Sequence, residues 1–136
     1  MGLRRKGREI AMQALYADGS NQHRVDENLR QIAENDKLEL DSPIVSFAKE
    51  LTTGVVNNLD QIDRIIIIKS KNWAFSRISP IDKALLRLGI YELLFTQVPR
   101  AVVINEALEI AKVFSSESSG KFINGILNQV NEDDCA

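Results

Sequence analysis

Four cations stand within the first eight residues of the chain, with no acid among them: Arg4, Arg5, Lys6 and Arg8. The whole chain has 17 lysines and arginines and 19 acids, so the remainder carries 13 cations against all 19 acids, a net charge of −6. A basic end on an acidic body is typical of a localised anion-binding patch, and nucleic-acid phosphates are common ligands of such patches. Charge alone supports an equally good alternative, a basic tail without a binding role.

Few residues have the type and spacing that catalysis requires. His23 is the only histidine, and we expect it in a turn beside Arg24, without cysteines or carboxylates at metal-ligand spacing. No glycine-rich phosphate loop follows a strand. Glu106 and Glu109 are three residues apart, which is the spacing of a solvated helical face. The sequence therefore predicts a binding protein without catalytic residues, metal or cofactor.

The composition is that of an ordinary globular protein, with 44% hydrophobic and 26% charged residues among 136. This length suits a single domain over residues 1–136. No apolar run approaches the roughly 20 residues that cross a bilayer, and the basic start lacks the apolar segment of a signal peptide. The lone cysteine, Cys135, cannot form an internal disulfide, so we expect a protein of the reducing cytoplasm.

The four cations lie on a predicted helix, residues 3–17, and not on a loose tail. Its apolar face is formed by Leu3, Gly7, Ile10, Ala14 and Ala17. Arg4 and Arg8 share a ridge beside that face on a helical wheel. The far side carries Arg5, Met12 and Tyr16. We therefore expect Arg5 and Arg8 outside the apolar stripe and Tyr16 either against a ligand or partly buried at the helix end.

A helix over residues 79–97, beginning SPIDKALLRLGIYELLF, is predicted to lie at the centre of an all-helical fold. Ser79 is a good N-cap, and Pro80 suits the first helical position. The apolar residues that follow cover more than one face, so neighbours can pack on several sides. Gly89 costs roughly 1 kcal/mol of helix propensity against alanine, which we interpret as allowing another helix to approach closely.

The connector before this helix contains Trp73 and Phe75, which we expect to fill the space between two helical groups. A ligand-binding aromatic pair is the lesser alternative. The preceding segment is predicted to be helical, with Asp60 as its cap, although its isoleucines are β-branched, because no second strand exists to pair with it. Residues 131–136 are predicted to be a frayed acidic end.

The last predicted helix places Phe122 at the edge of its apolar stripe and Lys121 on the exposed side. A half-exposed phenylalanine beside a lysine can stack on an unpaired base. Spacing alone favours the alternative, a phenylalanine at the edge of the core.

Three segments of the chain resemble the NusB family of bacterial transcription antitermination factors. They are RRKGREIAMQALY, SPIDKALLRLGIYELLF and VPRAVVINEALEIAKVFSSESSGKFINGILNQ. Their order and spacing are those of the family, and the resemblance covers nearly the whole chain. It implies an all-α fold of about seven helices in two packed sub-bundles, which agrees with the helices predicted from the residues.

The resemblance also implies a function, which is RNA binding without catalysis. Members of the family pair with NusE, which is also a protein of the small ribosomal subunit. The heterodimer recognises the single-stranded boxA element of nascent ribosomal RNA leaders and helps to assemble an antitermination complex on RNA polymerase. Some members form homodimers that hide the RNA-binding face.

Site residues follow from the same resemblance. The positions that match RNA-contacting positions are Arg4, Arg5, Lys6, Arg8, Ser118, Lys121 and Phe122. The positions that match NusE-facing ones are Tyr16, Asp82 and Glu106. The two carboxylates suit a basic ribosomal protein. Gly7, Asp82 and Gly120 depart from the common alanine, glutamate and histidine, and Gly7 is expected to leave the first helical turns unformed until a ligand binds.

Two other functions are compatible with the residues. A related domain precedes the large catalytic domain of ribosomal RNA cytosine methyltransferases, but the chain here ends at Ala136, so we do not expect an enzyme. A protein-only helical adaptor would use its N-terminal cations to bind an acidic partner, and its affinity would be indifferent to RNA sequence.

Overall fold

The computed structural model describes residues 2–18, 21–71 and 73–135, without the side chains of residues 17 and 18. Within these ranges the chain forms seven α-helices and no strand, which confirms the prediction of an all-α fold. The helices are α1 (Gly2–Asp18), α2 (Gln22–Asn35), α3 (Pro43–Asn57), α4 (Leu59–Lys69), α5 (Pro80–Phe95), α6 (Arg100–Phe114) and α7 (Glu117–Leu127). The predicted apolar position Ala17 and the terminal Ala136 lie outside the described side chains and residues.

Serine caps set the start of three helices, and the cap at Ser79 is the one predicted above from the sequence. The Oγ of Ser42 accepts the backbone N–H of Val45 at 3.3 Å, and that of Ser79 accepts the N–H of Asp82 at 3.2 Å. Ser116 starts α7 in the same way. Each such cap contributes about 0.5–2 kcal/mol. Helix α4 begins after Asn58 and not at Asp60, so the predicted cap at Asp60 is wrong.

The predicted central helix is confirmed in α5, which packs against α1, α3, α4, α6 and α7. Helices α1, α2 and α3 form one sub-bundle, and α6 and α7 pair on the other side of α5. Leu86 and Ile90 are fully buried within it. A Cβ at Gly89 would lie 3.0 Å from both methyl groups of Leu127 on α7, so the predicted close approach of a second helix is also confirmed.

The packing of α1 differs from the helical-wheel prediction. Leu3 is 64% exposed, whereas Met12, predicted on the far side, is buried. The reason is that α2, α3 and α5 cover α1 from several directions, so its buried surface is wider than one stripe. Gly7 is buried, and a Cβ there would lie 2.7 Å from the ring of Phe47. The glycine thus permits close packing on α3, and the prediction of unformed first turns is wrong because α1 is continuous from Gly2.

Two polar segments are also better ordered than predicted. Residues Glu132–Cys135 form a 3₁₀ helix in which Asp134 pairs with Lys69 on α4 at 3.2 Å, so the prediction of a frayed end is wrong for this segment. His23 lies in the first turn of α2, not in a loop, where its Nε2 is 2.8 Å from Glu27.

Candidate nucleic-acid interface

The N-terminal cations occupy very different environments, and Arg8 is the most buried of them. Its guanidinium donates to both carboxylate oxygens of Glu92 on α5, at 2.8 and 2.9 Å, and only 5% of the residue is exposed. Burial opposes the charge of Arg8, but the hydrogen bonds and the charge of Glu92 outweigh it and raise the pKa of Arg8. The prediction that Arg8 lies outside the buried surface is therefore wrong, because a carboxylate of α5 stands opposite it.

Arg5 forms a second bidentate pair. Its Nε and Nη2 donate to the carboxylate of Glu106 on α6 at 3.1 and 2.7 Å, and Arg8 Nη1 lies 3.7 Å from the same carboxylate. The hydrogen bonds from Arg5 hold the pKa of Glu106 below its usual range, while partial burial opposes the shift. Glu106, which the resemblance assigns to a protein partner, is thus shared by two arginines of its own chain.

The remaining two cations of α1 lie nearer the surface. Lys6 pairs with Asp36 at 3.0 Å, and Arg4 lies 4.6 Å from the ring centre of Phe47. Within the described part of the chain, Arg4 is the only one of the four without a carboxylate partner. The charge that this end offers to a ligand is therefore smaller than its sequence suggests.

A second candidate surface surrounds a cavity of about 320 Å³ between the connector before α5 and the turn from α6 to α7. Trp73 is 56% exposed at this cavity, and its ring centre lies 5.9 Å from that of Phe122 in an edge-to-face arrangement. The prediction that Trp73 fills a space between helices is wrong. Phe75, in contrast, is half-buried, and the Nζ of Lys83 lies 4.5 Å from the centre of its ring.

The wall of this cavity contains a buried carboxylate. Asp82 is 7% exposed, and its oxygens accept the hydroxyl of Ser119 at 3.0 Å and that of Ser115 at 3.4 Å. Ser115 follows Glu106 by nine residues, roughly 13 Å along α6. The structure therefore does not bring Asp82 and Glu106 into one cluster. Tyr16, the third residue assigned to a protein partner, is 51% exposed near the end of α1.

Two cations lie at this surface. Arg77 lines the cavity and Lys121 is exposed on α7; neither forms an ion pair within the described residues. Ser118 also lines the cavity, and half-buried Phe122 agrees with its predicted place at the edge of the core. Sequence reasoning missed Arg77 and the cavity-lining position of Trp73. The sequence feature that could have indicated them is the spacing of Trp73 and Arg77, an aromatic residue and a cation four positions apart in a polar connector.

Two further features of the structure concern metals and membranes. Among the residues described, no group of three or more histidines, cysteines and acids is placed to hold a metal ion. None of the helices described above combines the length and hydrophobicity that a membrane crossing requires.

Fold and site together define a helical binding module with an aromatic, cation-flanked cavity and a basic helix whose charge is largely paired. Comparison with known proteins makes this assignment specific. The chain belongs to the NusB family, whose family model matches residues 5–132. The family resemblance of the three sequence segments is thereby confirmed.

Relatives with the name transcription antitermination protein NusB match nearly the whole chain. The protein of Geobacter sp. (strain M21) is 41% identical over 137 residues, which cover 96% of this chain and 94% of the relative. That of Myxococcus xanthus is 43% identical, with 96% and 95% covered.

Solved structures share the fold. T. maritima NusB has a TM-score of 0.75 and 38% identity, covering 93% of this chain and 88% of that one. A structure of the antitermination factors NusB and NusE in complex with dsRNA includes a chain with a TM-score of 0.80, 27% identity and 94% and 95% coverage.

Proposed function

We propose that this chain is a transcription antitermination factor that binds RNA together with NusE. The RNA is the single-stranded boxA element of nascent ribosomal RNA leaders, and the complex assembles on RNA polymerase in the cytoplasm. The chain acts as a single binding domain, without catalysis. The observation that carries the proposal is family membership over residues 5–132, together with the shared fold of a NusB that binds NusE and RNA.

The cavity surface supports a single-stranded ligand. Trp73 and Phe122 offer ring surface beside Arg77 and Lys121, two cations that form no ion pair with any residue the structure describes. Bases of single-stranded RNA can splay out and stack on such rings, whereas a duplex keeps its bases stacked on one another. The similar complex contains double-stranded RNA, so a duplex belongs among the test ligands.

The N-terminal helix contributes to RNA binding mainly through Arg4 and Lys6, the two cations nearer the surface. Arg5 and Arg8 act chiefly by holding α1 against α5 and α6. Each phosphate contact should add about 0.7 to the slope of log affinity against log salt concentration.

NusE is expected to contact exposed Tyr16 and the Glu106 carboxylate. A cation of NusE that binds Glu106 competes with Arg5 for the same oxygens. Arg5 is then released toward RNA phosphates, so the binding of NusE and RNA is mutually favourable, as linkage requires. Asp82 lies in the cavity wall instead. Homodimerisation of the free protein stays a prediction.

The test is fluorescence anisotropy of a labelled boxA RNA, a scrambled RNA of equal length and a boxA duplex, each with and without NusE. We expect selective binding of the single-stranded boxA RNA, strengthened by NusE. Equal and weak binding to all three RNAs, unchanged by NusE, would contradict the proposal.

A protein-only adaptor, which would bind an acidic partner through the N-terminal cations, is the remaining alternative. Three of these four cations already have carboxylate partners in the chain, so this helix is a weaker electrostatic footprint for an acidic protein, as for RNA, than its sequence suggests. This candidate predicts that NusE binds with unchanged affinity whether or not RNA is present.

A further inference from the structure

We propose that the cavity at Trp73 holds one unstacked nucleobase of single-stranded RNA, and that Asp82 selects a base with an exocyclic amino group over uracil. This inference rests on the proposed RNA-binding function and adds a base-reading residue to it. Its starting point is the juxtaposition of an aromatic pair, exposed Trp73 and half-buried Phe122, with a buried carboxylate in one small cavity.

The size of the cavity limits its occupant. About 320 Å³ lies at the lower end of the range for ligand pockets, about 300–1,000 Å³. Such a space suits a single nucleoside and excludes a stacked run of bases. The occupant must therefore leave the stack, which a base of single-stranded RNA does at little cost.

The aromatic pair provides a surface for that base. The ring planes of Trp73 and Phe122 are inclined by 68°, so the two rings form a corner and not a closed sandwich. A base that lies on the face of one ring meets the other ring at its side. With 56% of Trp73 exposed, ring surface remains for a ligand. Stacking of this kind is tolerant of base identity, so selection needs a polar group.

Asp82 provides the polar group. Its carboxylate accepts two serine hydroxyls, but a carboxylate has about four acceptor positions, so acceptor capacity remains. Acidic side chains accept hydrogen bonds from the N4 amino group of cytosine. Uracil has a carbonyl oxygen at that position, and its ring donor, N3–H, lies between two carbonyl oxygens that repel a carboxylate, whereas the N4 amino group of cytosine has a C–H neighbour on one side. The carboxylate therefore favours cytosine over uracil at equal size and stacking.

The rim of the cavity suits the backbone of the same nucleotide. Arg77 lines the cavity, and exposed Lys121 precedes Phe122 on α7. Neither cation has a carboxylate partner within the described residues, so both are available to phosphates. The site thus combines a stacking corner, a base-reading acceptor and two phosphate contacts.

The experiment uses Trp73, the only tryptophan in the chain, as a built-in reporter. The full chain with NusE is titrated with single-stranded 12-mers of cytidine or uridine, which differ in the amino or carbonyl group at position 4 and in the hydrogen that uracil carries on N3. Tryptophan fluorescence reports occupation of the cavity, and anisotropy of a labelled RNA reports total binding. The boxA RNA serves as the positive control in both measurements.

We expect oligo(C) to quench Trp73 and to bind about tenfold more tightly than oligo(U), as one base-reading contact implies. Asp82→Asn should reduce that ratio to within about twofold, because an amide can donate to the uracil carbonyl. Asp41→Asn is the matched control, since Asp41 is exposed and does not line the cavity. It should leave the ratio unchanged. Thermal melting checks that Asp82→Asn folds, and the comparison of the two RNAs on the unaltered chain does not depend on it.

Other outcomes would overturn the inference in distinguishable ways. Equal affinity and equal quenching by both homopolymers would exclude base selection. Binding of the boxA RNA without quenching of Trp73 would exclude the cavity and leave the antitermination function intact. Absence of boxA binding with NusE present would remove the proposed function itself, and with it the inference.

Discussion

The two candidate RNA-binding surfaces differ in how far their chemistry is already satisfied within the chain. At the start of α1, Arg5, Lys6 and Arg8 each have a carboxylate partner within 3.0 Å. At the cavity, Trp73 is more than half exposed, and Arg77 has no ion-pair partner among the described residues. The basic segment is the more conspicuous in the sequence. Among the described residues, however, the cavity presents more side-chain groups that a ligand could bind without displacing an internal partner. A local count of cations therefore overstates the charge that a ligand meets.

The difference in internal pairing between the cations of α1 and those at the cavity has an energetic reason. Arg8 and Glu92 are removed from water, and a buried charge is tolerated only with a partner and good hydrogen bonds. The pair thus fixes α1 against the central helix. Arg77 and Lys121 are solvated at the cavity, so no internal carboxylate is needed to hold them there.

The largest effect should follow from breaking the buried pair. Arg8→Ala leaves Glu92 buried without its partner and should lower the free energy of unfolding by about 3–5 kcal/mol, measured by denaturant titration. Arg4→Ala is the matched control, because exposed Arg4 lies over the ring of Phe47 and has no carboxylate partner among the described residues, so its loss should cost about 0.5–1 kcal/mol. Equal stability of the two variants would show that Arg8 is not buried. Arg8→Met with Glu92→Leu should recover most of the loss, since no unpaired charge then remains.

The next largest effect concerns RNA and the free cations of the second surface. Arg77→Ala with Lys121→Ala should remove two phosphate contacts and lower the salt slope of RNA binding by about 1.4. Surface changes of this kind usually shift stability by no more than about 0.5 kcal/mol. Anisotropy at several salt concentrations measures the slope, and Lys71→Ala, an exposed cation outside the cavity lining, is the control. An unaltered slope would move the RNA contacts back to α1.

A smaller effect is expected from acid. The pKa of Glu106 is lowered in the folded state, so its stabilising contribution is complete above the unfolded value of about 4.3 and is lost as pH falls through the folded value. The glutamine of Glu106→Gln does not titrate, so this variant lacks the pH-dependent contribution of the carboxylate. Its melting temperature should therefore fall less between pH 6 and pH 3 than that of the unaltered chain. Exposed Glu34 provides the control Glu34→Gln. Parallel pH curves for all three proteins would argue against the Arg5–Glu106 pair.

The smallest effect tests the helix beside the cavity. A Cβ at Gly120 would meet no atom within 4 Å, so Gly120→Ala should stabilise the protein by about 0.5–1 kcal/mol through helix propensity alone. At Gly7 the same change brings a Cβ to 2.7 Å from Phe47 and should destabilise. Thermal melts of both variants check the opposite signs. Two shifts of the same sign would contradict the packing of α1 on α3.

Much of the fold was predictable because its signals are local. The Ser79–Pro80 pair starts α5 where the sequence predicts, and Ser42–Pro43 starts α3 through the same local signal, since a cap joins residues only three apart. The apolar surface of α5 on several sides identified it as central. The site was predictable only in part. Phe122 was placed correctly at the core edge, whereas the exposure of Trp73 and the burial of Asp82 depend on how the connector and the α6–α7 turn meet.

The sequence by itself determined the helices, the serine cap of α5, the central position of α5 and the family, because these follow from periodicity, short-range hydrogen bonds and sequence motifs. Only the tertiary structure decided which cations are free. Arg8 and Glu92 are 84 residues apart in the chain, and Arg5 and Glu106 are 101 apart. No local pattern encodes such pairs, because a carboxylate neutralises an arginine only when packing brings their charges into contact.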